Sequence, residues 1–354
     1  MPGETLQEVL ELRGMSQAEL AERTGRPKKT INEIIKGKAA ITPETALQLE
    51  LVLGIPAAFW NTREQHYREA LAREKGRQQL ESVGDWLREV PYRAMVSRGW
   101  IPERRDKGEQ IEEVLRFFGV ATPESWDDVW KGAQAAFRHS KTFKSEPGAM
   151  AAWLRQGELA ARRIECPEYD AARFKEVLRF IRAMTHDLPR AFPSIVIKEC
   201  GKAGVRVVFL PELPGTRVSG ATRWLNQTSP LIQLSVRYRT DDHLWFTFFH
   251  EAGHILLHGK RDAFIEGDEQ EQNEKELEAD SFAHEWLIPG KQYRAFRRLG
   301  ACSSAAVSRF AFQLGIAPGI VVGRLQHDGA LPRTHCNDLK RPVDWIFDVD
   351  DAPD

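Results

Sequence analysis

The chain has 354 residues and is nearly neutral, with 50 lysines and arginines against 51 aspartates and glutamates, and 42% of it is hydrophobic. That length predicts two or three domains rather than one core, and the charge balance excludes a globally basic nucleic-acid binder, so any DNA affinity must come from a local patch. No apolar run approaches the ~20 residues that span a bilayer, the N-terminus is acidic and amphipathic rather than signal-like, and Cys166, Cys200, Cys302 and Cys336 form no C-x-x-C pair, which argues for a reducing cytoplasm and against a thiolate zinc site.

Residues 1–75 read as short helices with sharp stops. Leu6, Val9 and Leu10 follow helical spacing before Gly14. Ser16 and Glu19 form a capping box for the next helix, which stops at Gly25, a left-handed position suited to glycine. Pro27 opens a third helix and Thr42-Pro43 a fourth. A longer amphipathic helix is expected from about residue 56 to 75. Ser16 to Lys38 thus holds two short helices joined by a tight turn, with Ala21 small enough for a close crossing. That is a helix-turn-helix, whose second helix enters the major groove. Placing Leu20, Ile31, Ile34 and Ile35 inward leaves Lys28, Lys29, Asn32 and Lys36 near the outer face.

Charge agrees with this reading. Arg23, Arg26, Lys28, Lys29, Lys36 and Lys38 stand against a single acid, Glu33. The expected DNA contacts are Arg26, Lys28, Lys29, Thr30, Asn32, Lys36 and Lys38, since asparagine can read adenine and lysine can bind phosphate or guanine. The competing reading is a helical hairpin whose basic face serves dimerisation. The segment "RTGRPKKTINEIIKGKAAITPETALQLELVLGIPAAFW" resembles the HigA-type antitoxin branch of the XRE helix-turn-helix family, over about residues 4–70. The resemblance implies a homodimeric autorepressor on double-stranded operator DNA, often paired with a toxin protein.

Residues 76 to about 190 look mostly helical, with breaks at "PERRDKGEQ" and "KTFKSEPG" and no catalytic constellation. The tryptophans from Trp60 to Trp245 are expected to pack helices. From residue 191 the pattern changes. "VRVVFL", "TRVSGATRWL" and "LIQLSVRY" read as three strands, taken as antiparallel. A helix follows that Asp241 can cap and Gly259 can end, then a charged loop (GKRDAFIEGDEQEQNEK) and a helix "EKELEADSFAHEWLIP". Two short helices around Gly315 and Pro318 and a frayed acidic tail complete the chain.

Within the first of these helices, His250-Glu251-Ala252-Gly253-His254 is H-E-x-x-H. Residues i and i+4 share a helix face, so both imidazoles can meet one ion. Zinc accepts neutral imidazole and keeps an open position in hydrolytic sites, where it brings the pKa of water toward ~7. Glu251 can take that proton and pass it to a leaving amine. The alternative is a core helix that happens to contain histidine. Two imidazoles and a carboxylate buried among aromatic residues without an ion would be costly.

A third ligand is needed. Leu257 and Lys260 occupy the glycine and histidine positions of the metzincin pattern, so that arrangement is absent. His258 is rotated about 80° from His250 and reads as a helix cap or as a partner of a ligating imidazole. Glu276 and Asp280 on the next helix share a face, so one can ligate while the other orients a histidine. Glu276 is the expected ligand, Glu278 the competitor, and Asp280 the orienting carboxylate. Ala279 and Ala283 let that helix pack closely. "TRVSGATRWL" is the candidate edge strand for aligning an extended substrate. Tyr238, His284 and Tyr293 lie near in sequence, but none is assigned as the oxyanion stabiliser.

"HEAGHILLHG" followed by "ELEADSFAHEWLIP" resembles the ImmA/IrrE family of zinc metallo-endopeptidases, over about residues 165–295. The resemblance implies a zincin-like domain with His250, His254 and Glu276 as zinc ligands and Glu251 as general base. Such proteins are associated with cleaving or regulating helix-turn-helix repressors. The expected fold is α+β and predominantly helical. It comprises a helix-turn-helix domain (1–75), a helical region (76–190), a zincin-like domain with a small antiparallel sheet (191–300) and a helical extension (301–354). Three functions compete: a regulator with an active endopeptidase, a regulator whose zincin-like domain senses a ligand, and a toxin-binding antitoxin. Substrates or partners would be a protein toxin or repressor; no membrane role is expected.

Overall fold

The computed structural model describes residues 1–131, 146–187, 189–235, 237–259, 264–267, 274–300 and 303–343. Part of the "KTFKSEPG" break, most of the charged loop and the acidic tail lie outside these residues.

Residues 1–84 with 104–112 form one compact unit. Its helices are α1 (Pro2–Leu12), α2 (Gln17–Thr24), α3 (Lys28–Ile35), α4 (Pro43–Leu53) and α5 (Ala57–Ser82). Local signals set their ends. Ser16 Oγ accepts from the Glu19 N–H at 3.1 Å, and Thr42 Oγ1 accepts from the Thr45 N–H at 3.3 Å. Gly25 and Gly54 close α2 and α4 in the left-handed region, at φ 66° and 62°. Pro27 stands just before α3 rather than in its first turn, and α5 runs to Ser82, beyond the expected stop near residue 75. Gly3 is required where α1 crosses α3, because a Cβ there would lie 2.3 Å from the Ile34 carbonyl oxygen. Leu6, Leu10, Leu20, Ile31, Ile34, Leu49 and Trp60 fill the core, with Ile35 packed at its margin.

Residues 85–103 and those from 113 onward form the second unit. It begins with a 3-10 turn (Gly84–Glu89) and α6 (Tyr92–Ser97); α7 (Lys107–Phe118) starts in the first unit and ends in the second, and α8 (Pro123–Trp126) follows. Trp86 and Phe118 meet the buried Trp126 edge-on, at 5.7 and 5.6 Å, so tryptophan here packs helices as expected. Next come α9 (Pro147–Ala161), α10 (Ala171–Met184), α11 (Phe192–Lys202), β1 (Arg206–Phe209), β2 (Val218–Asn226) and β3 (Ser229–Leu234). They are followed by α12 (Asp241–Leu257), β4 (Phe264–Gly267), α13 (Glu274–Leu287), α14 (Gly290–Arg298), α15 (Ser304–Leu314) and α16 (Pro318–His327). No single helix among the described residues is long and apolar enough to cross a membrane.

The sheet has four strands in the order β1-β3-β2-β4 and is mixed. The tight β2–β3 hairpin is antiparallel, as expected. However, the connection after β1 reverses the chain before β2, and β1 docks on the far side of β3. That makes β1 parallel to β3, with Arg206 opposite Leu231. The charged loop contributes β4, which pairs antiparallel with β2, Thr222 opposite Phe264. The segment read as an edge strand is therefore internal, and the edges are β1 and β4. Adjacent β2 residues point to opposite faces. Thr222 bonds the Glu251 carbonyl of α12, whereas Arg223 bonds the Leu154 carbonyl of α9. The two helices thus cover the two faces.

α12 is held at its start by the chain 100 residues later. Thr240, not Asp241, is the residue before the helix, and Asp241 instead accepts from the Arg341 N–H at 3.0 Å. The Asp241 N–H donates to the Arg341 carbonyl, Thr240 bridges Pro342, and Lys340 Nζ pairs with Asp242 at 2.6 Å. Burial pushes the Asp241 carboxyl from 3.8 up to about 6 despite the Arg341 N–H, and Asp242 adds repulsion. A carboxyl whose native pKa is raised holds its proton more tightly when folded, so its contribution is present below pH 4 and lost as pH rises to about 6. Asp241→Asn removes that titration. In denaturant melts from pH 4 to 7, the wild type should lose roughly 2–3 kcal/mol more than the variant. Parallel pH profiles would show that Asp241 is charged without cost.

Candidate metal centre and nucleic-acid interface

α12 is buried over most of its length. Trp245, Phe248 and Phe249 are almost inaccessible, each adding about 1.5–3 kcal/mol of apolar burial. This burial offsets the cost of enclosing His250, Glu251 and His254, which are each no more than 1% exposed. α13 lies close against α12 because Gly253 faces Ala279 and Phe282, and a Cβ on Gly253 would come within 3.1 Å of the Phe282 ring. Ala279 and Ala283 are fully buried in this contact. Arg182 of α10 fixes the far end of α13 by donating to the Trp286 and Leu287 carbonyls at 2.7 and 3.0 Å.

His250, His254 and Glu276 come together: one ligand atom from each lies within 4.8 Å of the others. The Nε2 atoms of the two histidines are 3.0 Å apart, and Glu276 Oε2 is 3.1 Å from His250 Nε2 and 3.5 Å from His254 Nε2. The outer ring nitrogens decide which atoms carry protons. His250 Nδ1 faces Asp280 Oδ1 at 2.9 Å, so it donates there and its Nε2 keeps a lone pair. His258 Nε2 faces Glu278 Oε2 at 3.0 Å and donates to it. His258 Nδ1 then accepts from His254 Nδ1 at 2.9 Å, which again leaves the lone pair on Nε2. Two Nε2 lone pairs and a carboxylate converging on one point form a donor set that fits zinc.

Protonation agrees. Burial pushes His254 down to about 4, so it is neutral at pH 7. Burial works against the Glu276 charge, but its contacts with His250 and His254 prevail and hold the carboxyl at about 2. Glu276 therefore sits in the triad, while Glu278 supports it through His258. His258 is both the residue that ends α12 and the partner of His254, because the backbone turns extended there and brings the ring back.

Sequence reading missed the glycine beside Glu251. A Cβ on Gly220 of β2 would lie 2.7 Å from Glu251 Oε1 and 2.6 Å from Thr247 Cγ2. Only glycine lets the strand pass this close to the carboxylate, and a lone glycine inside a strand was the available signal. The three nearby residues left unassigned lie in other packing. Tyr238 stacks on His243 at 4.3 Å, and Tyr293 donates to Asp328 at 2.7 Å. His284 packs against Phe246 and faces His327, and burial, with Arg324, holds it at about 4.

On the first unit, Lys28, Lys29, Lys36 and Lys38 are exposed, while Arg26, Thr30 and Asn32 are half-buried. Lys29 pairs loosely with Glu33 at 3.9 Å. Arg26 is tied to Gln48, and the Asn32 amide donates to Gln17 of α2 at 3.2 Å. The four lysines thus form an exposed cationic edge, and Arg26 and Asn32 are braced by neighbours.

Fold and sites together define a helix-turn-helix unit followed by a zincin-type unit. Comparison with known families agrees: the helix-turn-helix family matches residues 6–60, and the IrrE N-terminal-like domain of peptidase family M78 matches residues 200–321. The chain carries an XRE-type helix-turn-helix domain and an IrrE/ImmA-like domain. The first is a DNA-binding module of transcriptional regulators, the second a metallopeptidase-family module. Residues of this chain are also 36% identical over 59 residues to the uncharacterized HTH-type transcriptional regulator YddM of Escherichia coli (strain K12). That match spans 17% of this chain and 63% of the relative.

Proposed function

We propose that the protein is a cytoplasmic, homodimeric transcriptional regulator of antitoxin type that also carries a zinc-dependent endopeptidase. The observation that carries the peptidase reading is the convergence of His250, His254 and Glu276 with Glu251 beside them. Zinc held by those three residues would supply Lewis acidity to polarise a scissile carbonyl. Asp280 and the Glu278–His258 pair hold the imidazoles in the tautomer that binds. Glu251, fixed against Gly220, takes the proton of the attacking water on its carboxylate and returns it to the leaving amine. Among the described residues β4 is an edge strand, and there an extended peptide of a toxin or repressor can add as a further strand. Metal analysis of the purified protein should find about one zinc per chain. None at all would remove this reading.

For the DNA-binding half, the four exposed lysines support operator recognition by α3. Replacing Lys28 and Lys29 by alanine should weaken operator binding and reduce the slope of log K against log salt by about 1.8. Fluorescence anisotropy across a salt series measures this. Identical slopes would place the DNA elsewhere.

A further inference from the structure

The face of the sheet opposite the metal centre carries an unusual concentration of guanidinium groups. Arg206 of β1 and Arg223 of β2 both stand opposite Leu231 of the intervening β3, so they project from one cross-strand row onto the α9 side. Arg162, just past the end of α9, joins them around a cavity of about 420 Å³. Among the described residues that line the cavity, one acid serves this cluster. Glu158 already accepts from Arg155 at 2.8 Å and Arg162 at 2.5 Å, and it lies 3.8 Å from Arg223. Arg206 spends its Nε on the Ile164 carbonyl. Arg223 Nε and Arg206 Nη1 are buried without an acceptor among the described residues. Burial lowers Arg223 to about 10 although Glu158 opposes this, and Arg155 and Arg162 push the same way as burial.

A plain structural role explains part of this. Arg155 and Arg162 can brace α9 through Glu158, and a cation suits a helix C-terminus. It does not explain why Arg206 and Arg223, both part-buried, are brought to the same place. Three guanidinium groups lining one cavity, with Glu158 as the acid among the lining residues, match a phosphate, which takes several such bonds at once. Leu225, Asn226 and Ser229 complete the lining.

We propose that this cavity binds a small phosphomonoester, its phosphate held by Arg162, Arg206 and Arg223. The site lies on the other side of the sheet from the metal centre and does not depend on peptidase activity. AMP is the probe, with inorganic phosphate and adenosine as its parts, titrated into the full zinc-loaded chain at constant ionic strength and followed by calorimetry and thermal shift. AMP is expected to bind with Kd tighter than ~1 mM, and adenosine at least tenfold more weakly. Arg206→Lys, which keeps the charge but loses the forked donors, should weaken AMP about tenfold. Arg162→Ala with Arg206→Gln should abolish binding while zinc content stays that of the wild type. No saturable response to AMP, or an unchanged one in the double variant, overturns the site. Adenosine binding as tightly as AMP overturns the role of the arginines.

Discussion

Glu251→Gln is expected to keep about one zinc per chain and lose peptide cleavage by a factor of about 10²–10⁴. Glu251 is not one of the three residues of the triad, so removing its charge leaves His250, His254 and Glu276 in place. Glutamine is nearly the same size, so the close passage at Gly220 is preserved and the domain should fold as before. Cleavage sites mapped by mass spectrometry on a diverse peptide library provide the measurement, with metal analysis on the same samples. A variant that cuts as fast as the wild type would show that the proton is carried by another group. A zinc-loaded wild type that leaves the library intact would instead make the domain a ligand-sensing or toxin-binding module.

The second large effect concerns the ion itself. Without an ion, two imidazoles and a carboxylate face one another in a buried space, so bound zinc should contribute strongly to stability. At a free concentration near 1,000 Kd the linkage amounts to about 4 kcal/mol. For a domain of this size that corresponds to a fall of about 8–16 °C in Tm on adding chelator. Glu276→Ala should bind little zinc and show almost no chelator effect. Glu278→Ala removes only the support for His258 and should weaken zinc by about 10–100-fold. Calorimetric melts with and without chelator separate the two. If Glu278→Ala proved the more damaging, the ligand assignment would have to be exchanged.

The helix-turn-helix could be read directly because its signals are local. Ser16, Gly25, Thr42 and Gly54 act within one turn of their own positions, and Ile31 and Ile34 need only a helical period to point inward. The metal motif was visible for the same reason, since His250 and His254 are one turn apart. What depends on distant partners was not visible. β4 is four residues inside a charged segment, too short to show alternation, and it exists because β2 offers it an edge. The parallel pairing of β1 is decided by where the chain turns back, not by any residue in the strand. The roles of Glu276 and Glu278 separate only once the fold turns His258 toward His254. The arginine cavity gathers residues from α9 to β2, and no window of sequence contains them together.

The tie between Asp241 and Arg341 also has a consequence for how the protein is made. The fastening at the front of the metal helix is synthesised 100 residues after the helix it secures. At ~5–20 residues per second, translation leaves about 5–20 s between them. His250, His254 and Glu276 leave the ribosome within that interval, before Lys340 and Arg341 exist. The nascent domain therefore has these three side chains before its last fastening, and an ion captured early by them would hold α12 to α13 until the tail arrives. Ending the chain at residue 321, where the family match ends, would leave that interval open permanently.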